Sequence, residues 1–526
     1  MHDVVPLPPS REQAEQRVRD LERALSSTLQ SVHPEEFVPD MATRMRSAAA
    51  SPSISTYYPP HAMLHAIEAC CAYWRQWCYR PLTEDRLRHA INALTAFEDP
   101  TILHYLKPDT DLFEFMLYMH RTQMDMQGEV WWMPVGKFTR LFADAESLPA
   151  TSEHFLSSFG VSLKQWLQLT FAVHTATALR QCYFSHDYAQ TLSSLGLPLR
   201  VVNDYLKEVS RSPMQIAEGY RRIRLGDATT KPAPPLTWMQ RRPQTAHHPL
   251  IRLQRGYVAP VEAYIADLFG ESLFRRLIPA IDHPRHDVVR KEVGARFERY
   301  VEDVLRHHLP GRSIWNERDL EVPEVGRSCD LAVDLEDSIL LIECKAVTFD
   351  RELVTRTAVL ESPAISRIVS GFDQLICTSQ HLSSGQSAAL GMDPTKPRYG
   401  IVVTLGEVPG ANYPAVWSFA QGELAKRGTP SDPVPSLLAD RPQAFHGFAI
   451  EHLALCLRTG IGSVSGLFAE RKRQPPLAMG DWGLELQRKC VSAGKQDLGF
   501  WRSAGEVLLS ELVTVPPPQL SRPTVP

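Results

Sequence analysis

The apolar and polar positions of the chain follow two rhythms. From Arg11 to Ser31 the residues Ala14, Val18, Leu21, Leu25 and Leu29 recur at helical spacing among charges, which predicts a packing helix. The same rhythm runs from about Met41 to Leu225. Its segments His61–Tyr79, Thr83–Phe97, Leu112–Met126 and Leu163–Tyr183 are broken by Pro, Asp and Gly punctuation, and no repeat period connects them. This predicts an all-α N-terminal domain over residues 1–225.

The rhythm lapses at Gly226. GDATTKPAPPLTWMQRRPQTAHHP is rich in Pro, Thr and basic residues and reads as a linker, so residues 226–284 are expected to connect two larger units. Within them Leu250–Val258 reads as a short strand around Arg255-Gly256, and Val261–Phe269 as a helix. From residue 285 the periods alternate. A helix from about Asp287 to Leu309 carries the buried stripe Val289, Val293, Phe297, Val301, Val304 and Leu305, and Pro310-Gly311 ends it. Ser313–Leu320 reads as a strand. Leu331–Leu335 and Ile339–Val347, separated by the polar Glu336-Asp337-Ser338, read as a β-hairpin. One or two helices over Arg351–Ser379 follow, then strands over Tyr399–Leu405 and Ala415–Phe419, completing a mixed sheet with helices on its faces. Residues 426–526 turn helical again, at His446–Thr459, Trp482–Ser492 and Trp501–Leu512, and the tail PPPQLSRPTVP is expected to be mobile. The expected fold class is multidomain, α plus α/β: helical 1–225, connector 226–284, α/β 285–425 and a helical C-terminal appendage 426–526.

Composition narrows this picture without naming a function. A chain of 526 residues is too long for one core, and 44% apolar with 22% charged residues describes globular protein. The net charge of -4 means that any nucleic-acid contact comes from a local patch. The most basic neighbourhood holds Arg221, Arg222, Arg224, Arg241 and Arg242, candidate phosphate contacts that otherwise form a solvated surface. Nine cysteines without CxxC pairs or a disulfide ladder suit a reduced, cytoplasmic compartment. The N-terminal stretch lacks the marks of a secretory signal, and no window approaches eighteen uninterrupted apolar residues, so no membrane partner is expected. His61 and His65 lie four apart, but HAMLH lacks the acidic second residue of a zinc-protease motif and reads as helix histidines. Tyr73, Trp74, Trp77, Tyr79 and the pair Trp131-Trp132 offer rings for base stacking, with core packing the commoner use.

Three charges interrupt the apolar hairpin. Asp330 leads its first strand, while Glu343 and Lys345, two apart on the second, share a face. Burying such charges in a sheet is costly unless something compensates them, as a metal ion with its water would. Glu298, one turn after Gly294, stands at the margin of the preceding helix's buried stripe and would reach a neighbouring site from a rigid support.

The order helix with glutamate, strand, strand led by aspartate, strand ending Glu-x-Lys, then helix resembles the PD-(D/E)xK nuclease superfamily over about residues 285–420. The matching residues are Glu298, Asp330, Glu343 and Lys345, with twelve residues between the Asp and the Glu. Cys329 replaces the usual proline before the aspartate. The resemblance implies a restriction-endonuclease-like α/β/α core and metal-dependent phosphodiester hydrolysis. Asp330, Glu343 and the backbone carbonyl of Cys344 would ligate Mg²⁺ or Mn²⁺, and Lys345 would orient or help deprotonate the attacking water. Glu298 would hold a metal-bound water or a second ion, and Gln374 matches a glutamine that supports the cleft in some relatives. A hard cation suits an anionic, unreactive phosphodiester because it neutralises charge and positions water. The expected function is that of a DNA nuclease, endo- or exonucleolytic, in restriction or anti-phage defence. Its helical N-terminal half would sense an activator or partner protein, and a homodimer would bring two sites to a duplex. The alternative is a catalytically inactive module for nucleic-acid binding or protein interaction. Joint retention of Asp330, Glu343 and Lys345 favours the enzyme.

Overall fold

The computed structural model describes residues 10–50, 60–75, 80–81, 83–97, 132–179, 182–225, 243–278, 284–320, 328–348, 360, 362–408, 410–430, 438–473, 482–494, 499–510 and 512. The expected helix Leu112–Met126, most of the linker and the C-terminal tail lie outside them. The protein is mostly helical, with two small mixed sheets.

Its first half is built on helices α1 (Arg11–Leu29), α2 (Pro34–Ala50), α3 (Pro60–Tyr73), α4 (Glu84–Phe97), α5 (Trp132–Phe142), α6 (Pro149–Phe159) and α7 (Leu163–Ala178). The apolar stripe of α1 is buried as its spacing demands, with Leu25 and Leu29 packed beside Phe37, Met41, Ile67 and Leu87. Helix starts are chemically marked: the Ser10 side chain accepts from Gln13 N–H, and Ser162 with Gln165 forms a reciprocal capping box.

The expectation that residues 1–225 are all-α is corrected by two short strands. β1 (Tyr183–Ser185) and β2 (Ser210–Arg211) join β3 (Leu250–Leu253) and β4 (Gly256–Val258) in a sheet ordered β1-β4-β3-β2. Strands of three and two residues are too short to show a period of two. The expected single strand Leu250–Val258 is a hairpin, turning just before Gly256. Gly256 has φ 151, and a Cβ there would stand 1.9 Å from the Phe184 carbonyl oxygen, so glycine is required.

The second sheet follows helix α8 (Pro284–His308), which matches the expected element. Its strands are β5 (Ile314–Asn316), β6 (Leu331–Asp334), β7 (Ile339–Lys345), β8 (Arg398–Thr404) and β9 (Gln443–His446), in that spatial order. The pairs β5–β6 and β6–β7 are antiparallel, while β7–β8 and β8–β9 are parallel. Alternate residues of β7 enter different cores. Leu340, Ile342 and Cys344 pack with Val293, Phe297 and Tyr300 of α8, whereas Ile339 and Leu341 pack with Ile365, Ile368 and Phe372 of helix α9 (Pro363–His381). The sheet is therefore covered on both faces, which is why β7 reads as a nearly continuous apolar run.

Two strand expectations fail for local reasons. Ser313–Leu320 is strand only to Asn316, whose Oδ1 accepts from the N–H groups of Arg318 and Asp319 at 3.0 and 3.3 Å and turns the chain into the short helix Glu317–Leu320. Ala415–Phe419 lies inside helix α10 (Pro414–Lys426), started by a proline and buried through Val416, Ala420 and Leu424 at four-residue intervals. The fifth strand is β9, from the stretch expected to be wholly helical. Beyond it come helices α11 (Gly447–Thr459), α12 (Val464–Lys472), α13 (Trp482–Ser492) and α14 (Gly499–Ser510).

One apolar core includes Trp166 of α7, Phe297 of α8, Ile342 of β7, Trp482 of α13 and Trp501 of α14. A polar network crosses it. The Tyr300 hydroxyl donates to Glu451 Oε1 and accepts from Trp501 Nε1–H at 2.9 Å, and Lys137 Nζ lies 3.8 Å from the same Glu451 oxygen. All four residues are buried. Removing one member of a buried ion pair strands the other, so Glu451→Ala is expected to destabilise the protein by about 3–5 kcal/mol. A melting temperature equal to wild type would show that the network is not structural.

Candidate active site

The site forms at one end of β6 and β7. Leu331 pairs with Ile342, so the next position outward sets Asp330 opposite Glu343. Residues directly opposed across an antiparallel pair point to the same face. Asp330 Oδ2 accepts the Cys344 backbone N–H at 2.5 Å, which pins the carboxyl to the neighbouring strand. Glu343 is only 1% exposed. Its Oε1 takes the Lys345 ammonium, while its Oε2 is buried with no hydrogen-bond partner. Lys345 Nζ also donates to Gln374 Oε1 at 2.7 Å, so the structure brings Gln374 to the site alongside Glu343 and Lys345. The Cys344 thiol points the other way, into the core with Ile342.

Charge here is held against burial. Burial first, then the negative charge of Asp330, pushes the Glu343 carboxyl up to about 8, although Lys345 pulls it down. Asp330 is raised to about 6 by burial, which outweighs the Cys344 N–H and Lys345. Glu298, on α8, is raised to about 7 by burial and then by the charges of Asp330 and Glu317, against Lys345. Helix α8 thus supplies a half-buried carboxyl whose proton affinity is raised by burial and by the charges of Asp330 and Glu317. Glu317, in the turn after β5, escaped sequence reasoning because its stretch read as strand.

Helix α9 organises both halves of the site through residues 371, 374 and 378, which lie along one helical face. At Gly371 a Cβ would stand 2.6 Å from Val402 Cγ2 and 3.3 Å from Glu343 Cγ, so glycine lets the helix lie against the sheet beside the buried glutamate. Gln374 holds Lys345. Thr378 Oγ1 accepts the Cys329 N–H at 2.8 Å and donates to the Gln374 carbonyl at 2.8 Å. Cys329 thus makes a backbone hydrogen bond that proline, which has no N–H, could not make. A glycine inside an apolar helical pattern was the available signal for Gly371; nothing in the sequence marked Thr378.

Other candidates fall elsewhere. Arg221 and Arg222 are exposed on the helix Pro213–Leu225 and pair with Glu218 at 2.7 and 3.3 Å, a solvated helix face. Arg224 belongs to the same helix, and Arg241 and Arg242 lie outside the described residues. Tyr73 donates to Glu22 at 3.0 Å and Trp74 meets His33 edge-on at 4.9 Å, both packing uses. Trp77, Tyr79 and Trp131 lie outside the described residues. His65 is buried.

Among the described residues no three His, Cys, Asp or Glu side chains close on one point to make a metal cage. Mg²⁺ needs less: one or two carboxylates, the rest of its octahedron being largely water. The donor set fits that requirement, because Glu343 Oε2 is a buried acidic oxygen without a donor and Asp330 stands opposite it.

Two outcomes follow from this geometry. Thr378→Val leaves the buried Cys329 N–H without an acceptor and is expected to lower stability by about 1–3 kcal/mol, with Thr378→Ser close to wild type; melting curves measure both. The three carboxyls have raised pKa values, so the folded state binds their protons more tightly than the unfolded chain does. Their stability contribution is complete below their ordinary values of 3.8 and 4.5 and is lost as pH rises to about 8. In EDTA the melting temperature should therefore fall across this window, and the double variant Asp330→Asn, Glu343→Gln should flatten the fall. An identical pH profile in the double variant contradicts the assignment.

No family model, no curated protein and no solved structure matches this chain.

Proposed function

We propose that the chain is a metal-dependent nuclease of the PD-(D/E)xK type, with residues around β5–β9, α8 and α9 as its α/β/α core and DNA as its expected substrate. The observation that carries this reading is Glu343: a carboxyl buried in a central strand, one oxygen unpartnered, beside Asp330 and a lysine held by Gln374. A bound Mg²⁺ or Mn²⁺ would neutralise phosphate charge and lower the pKa of a coordinated water.

The protein's own groups divide the remaining work. Asp330 and Glu343 would hold the cation, and its charge would favour their ionised forms over the protonated forms that burial favours. Lys345 has three N–H donors, two of them committed to Glu343 and Gln374. The third would be left for the attacking water or a phosphate oxygen, and the ammonium would stabilise negative charge developing there. Glu298 would accept a proton from, or orient, a water on the α8 side. A catalytically inactive binding module would have no use for a desolvated Glu343, since positive surface alone contacts a phosphate backbone. The restriction or defence setting, an activator recognised by the helical first half, and a homodimer remain parts of the proposal that rest on the resemblance.

Incubation of the full chain with plasmid, linear and single-stranded DNA and with RNA, in Mg²⁺, Mn²⁺ or EDTA, tests the reading. Cleavage should require the metal and fall at least about 10²-fold in Asp330→Ala and in Lys345→Ala. Equal cleavage by wild type and both variants would sink it.

A further inference from the structure

We propose that Cys456 and Cys490 form a redox modification site, a pair of thiols that a small peroxide converts into a reversible disulfide stapling α11 to α13. The inference is independent of the nuclease reading and concerns two cysteines that no motif pairs.

Helix packing brings them together from 34 positions apart. Each thiol faces a carbonyl of the opposite helix, Cys456 Sγ lying 3.9 Å from the Leu486 oxygen and Cys490 Sγ 3.8 Å from the His452 oxygen. The contact is therefore reciprocal. Between the helices the two sulfurs stand 3.2 Å apart, and both side chains are buried. A disulfide bond is about 2.05 Å long, so the sulfurs need to approach by about 1.2 Å. Other described thiols meet different groups: Cys70 donates to the Val32 carbonyl at 3.5 Å, Cys329 to the Leu331 carbonyl at 3.4 Å, and Cys182 lies 3.7 Å from Thr43 Oγ1.

The chain between the two thiols is already folded back on itself. Helix α12 pairs with α13 through Arg471 and Glu485 at 2.8 Å and through Lys489 and Glu470 at 2.8 Å. A bond would lock an arrangement that the reduced protein holds, instead of imposing a new one.

The chemistry needs an anion on one sulfur, because the thiolate is the nucleophile. With Cys456 as donor, the S–H hydrogen bond holds the Cys490 thiol below its ordinary range against the opposing effect of burial. Hydrogen peroxide is small and uncharged enough to reach a buried sulfur. The thiolate attacks one peroxide oxygen, the O–O bond breaks, and the hydroxide released leaves as water with the thiol's proton, which gives a sulfenic acid. The neighbouring sulfur then attacks the sulfenic sulfur. The S–S bond forms, the S–O bond breaks, and the second hydroxide leaves as water with the second thiol's proton. Two thiols and one peroxide become one disulfide and two waters, the sulfurs losing the two electrons that the peroxide oxygens gain.

The test treats the reduced full chain with one equivalent of hydrogen peroxide, alkylates the remaining thiols and maps the peptides by mass spectrometry without reductant. Most wild-type chains should carry one cross-link joining Cys456 to Cys490, two hydrogens lighter than the thiol pair and reversed by a phosphine reductant. The closed loop restricts the unfolded chain, so the melting temperature should rise by a few degrees on oxidation and fall back on reduction. Cys456→Ser should lose the cross-link and leave Cys490 trappable as a sulfenic acid by dimedone, with a thermal scan checking that the variant folds. Should the variant not fold, the wild-type map alone decides. No Cys456–Cys490 cross-link in that map, a preferred cross-link between other cysteines, or one that forms only after unfolding in urea would overturn the proposal.

Discussion

The desolvation of Glu343 is the constraint around which this part of the molecule is arranged. A carboxyl in the interior strand of a sheet covered on both faces loses water on every side, and its pKa rises to about 8 despite a lysine on its Oε1. An isolated charge there would be destabilising by several kcal/mol. The surroundings answer it partially. Lys345 supplies one countercharge, Gln374 keeps that lysine in place, and Gly371 removes the Cβ that would otherwise press on Val402 and the glutamate. One acidic oxygen is left over. An apolar side chain would be the more stable choice at this position, which is why the carboxyl carries the functional proposal.

Precision at that end comes from helices more than from the hairpin. β6 is four residues long and β5 three, too little ladder to hold a carboxyl accurately. Helix α9 compensates by gripping the start of β6 through Thr378 and Cys329, and the end of β7 through Gln374 and Lys345. Both halves of the site are thereby referred to one rigid rod. A substitution on α9 would displace Asp330 and Lys345 together, in a correlated way that loop-borne ligands would not show.

The legible parts of this molecule in its sequence were those with long or charged signals. The stripe Val289 to Leu305 gave α8 within a few residues, and Leu331–Leu335 with Ile339–Val347 gave the hairpin, because an apolar run broken by Asp330, Glu343 and Lys345 is unusual enough to stand out. Gln374 was visible only through resemblance. Short strands were not legible: β1, β2 and β9 have four residues or fewer and their pairing is entirely nonlocal. Ala415–Phe419 misled because a five-residue apolar run looks alike in a strand and in a buried helix; the decisive spacing, Val416, Ala420 and Leu424, extends past it. Glu317 was hidden by the side chain of Asn316, which converts an apparent strand into a turn without any change in apolar rhythm.

Helix α8 connects the site to the rest of the chain. Glu298 and Tyr300 are two residues apart on it, so they project about 200° apart around the axis. Glu298 faces the hairpin charges, while Tyr300 is held in a buried network with Glu451 of α11, Trp501 of α14 and, through Glu451, Lys137 of α5. A shift of α14 relative to the core would have to move Tyr300 or break its hydrogen bond with Trp501, and a shift of α5 would part Lys137 from Glu451. Because a helix transmits displacement along its length as a stiff body, a shift that moves Tyr300 would reposition Glu298 at the site. The first half of the chain is joined to the helix that carries Glu298 at further points too, since Glu292 accepts from Ala150 and Thr151 and Arg296 donates to the Arg140 carbonyl.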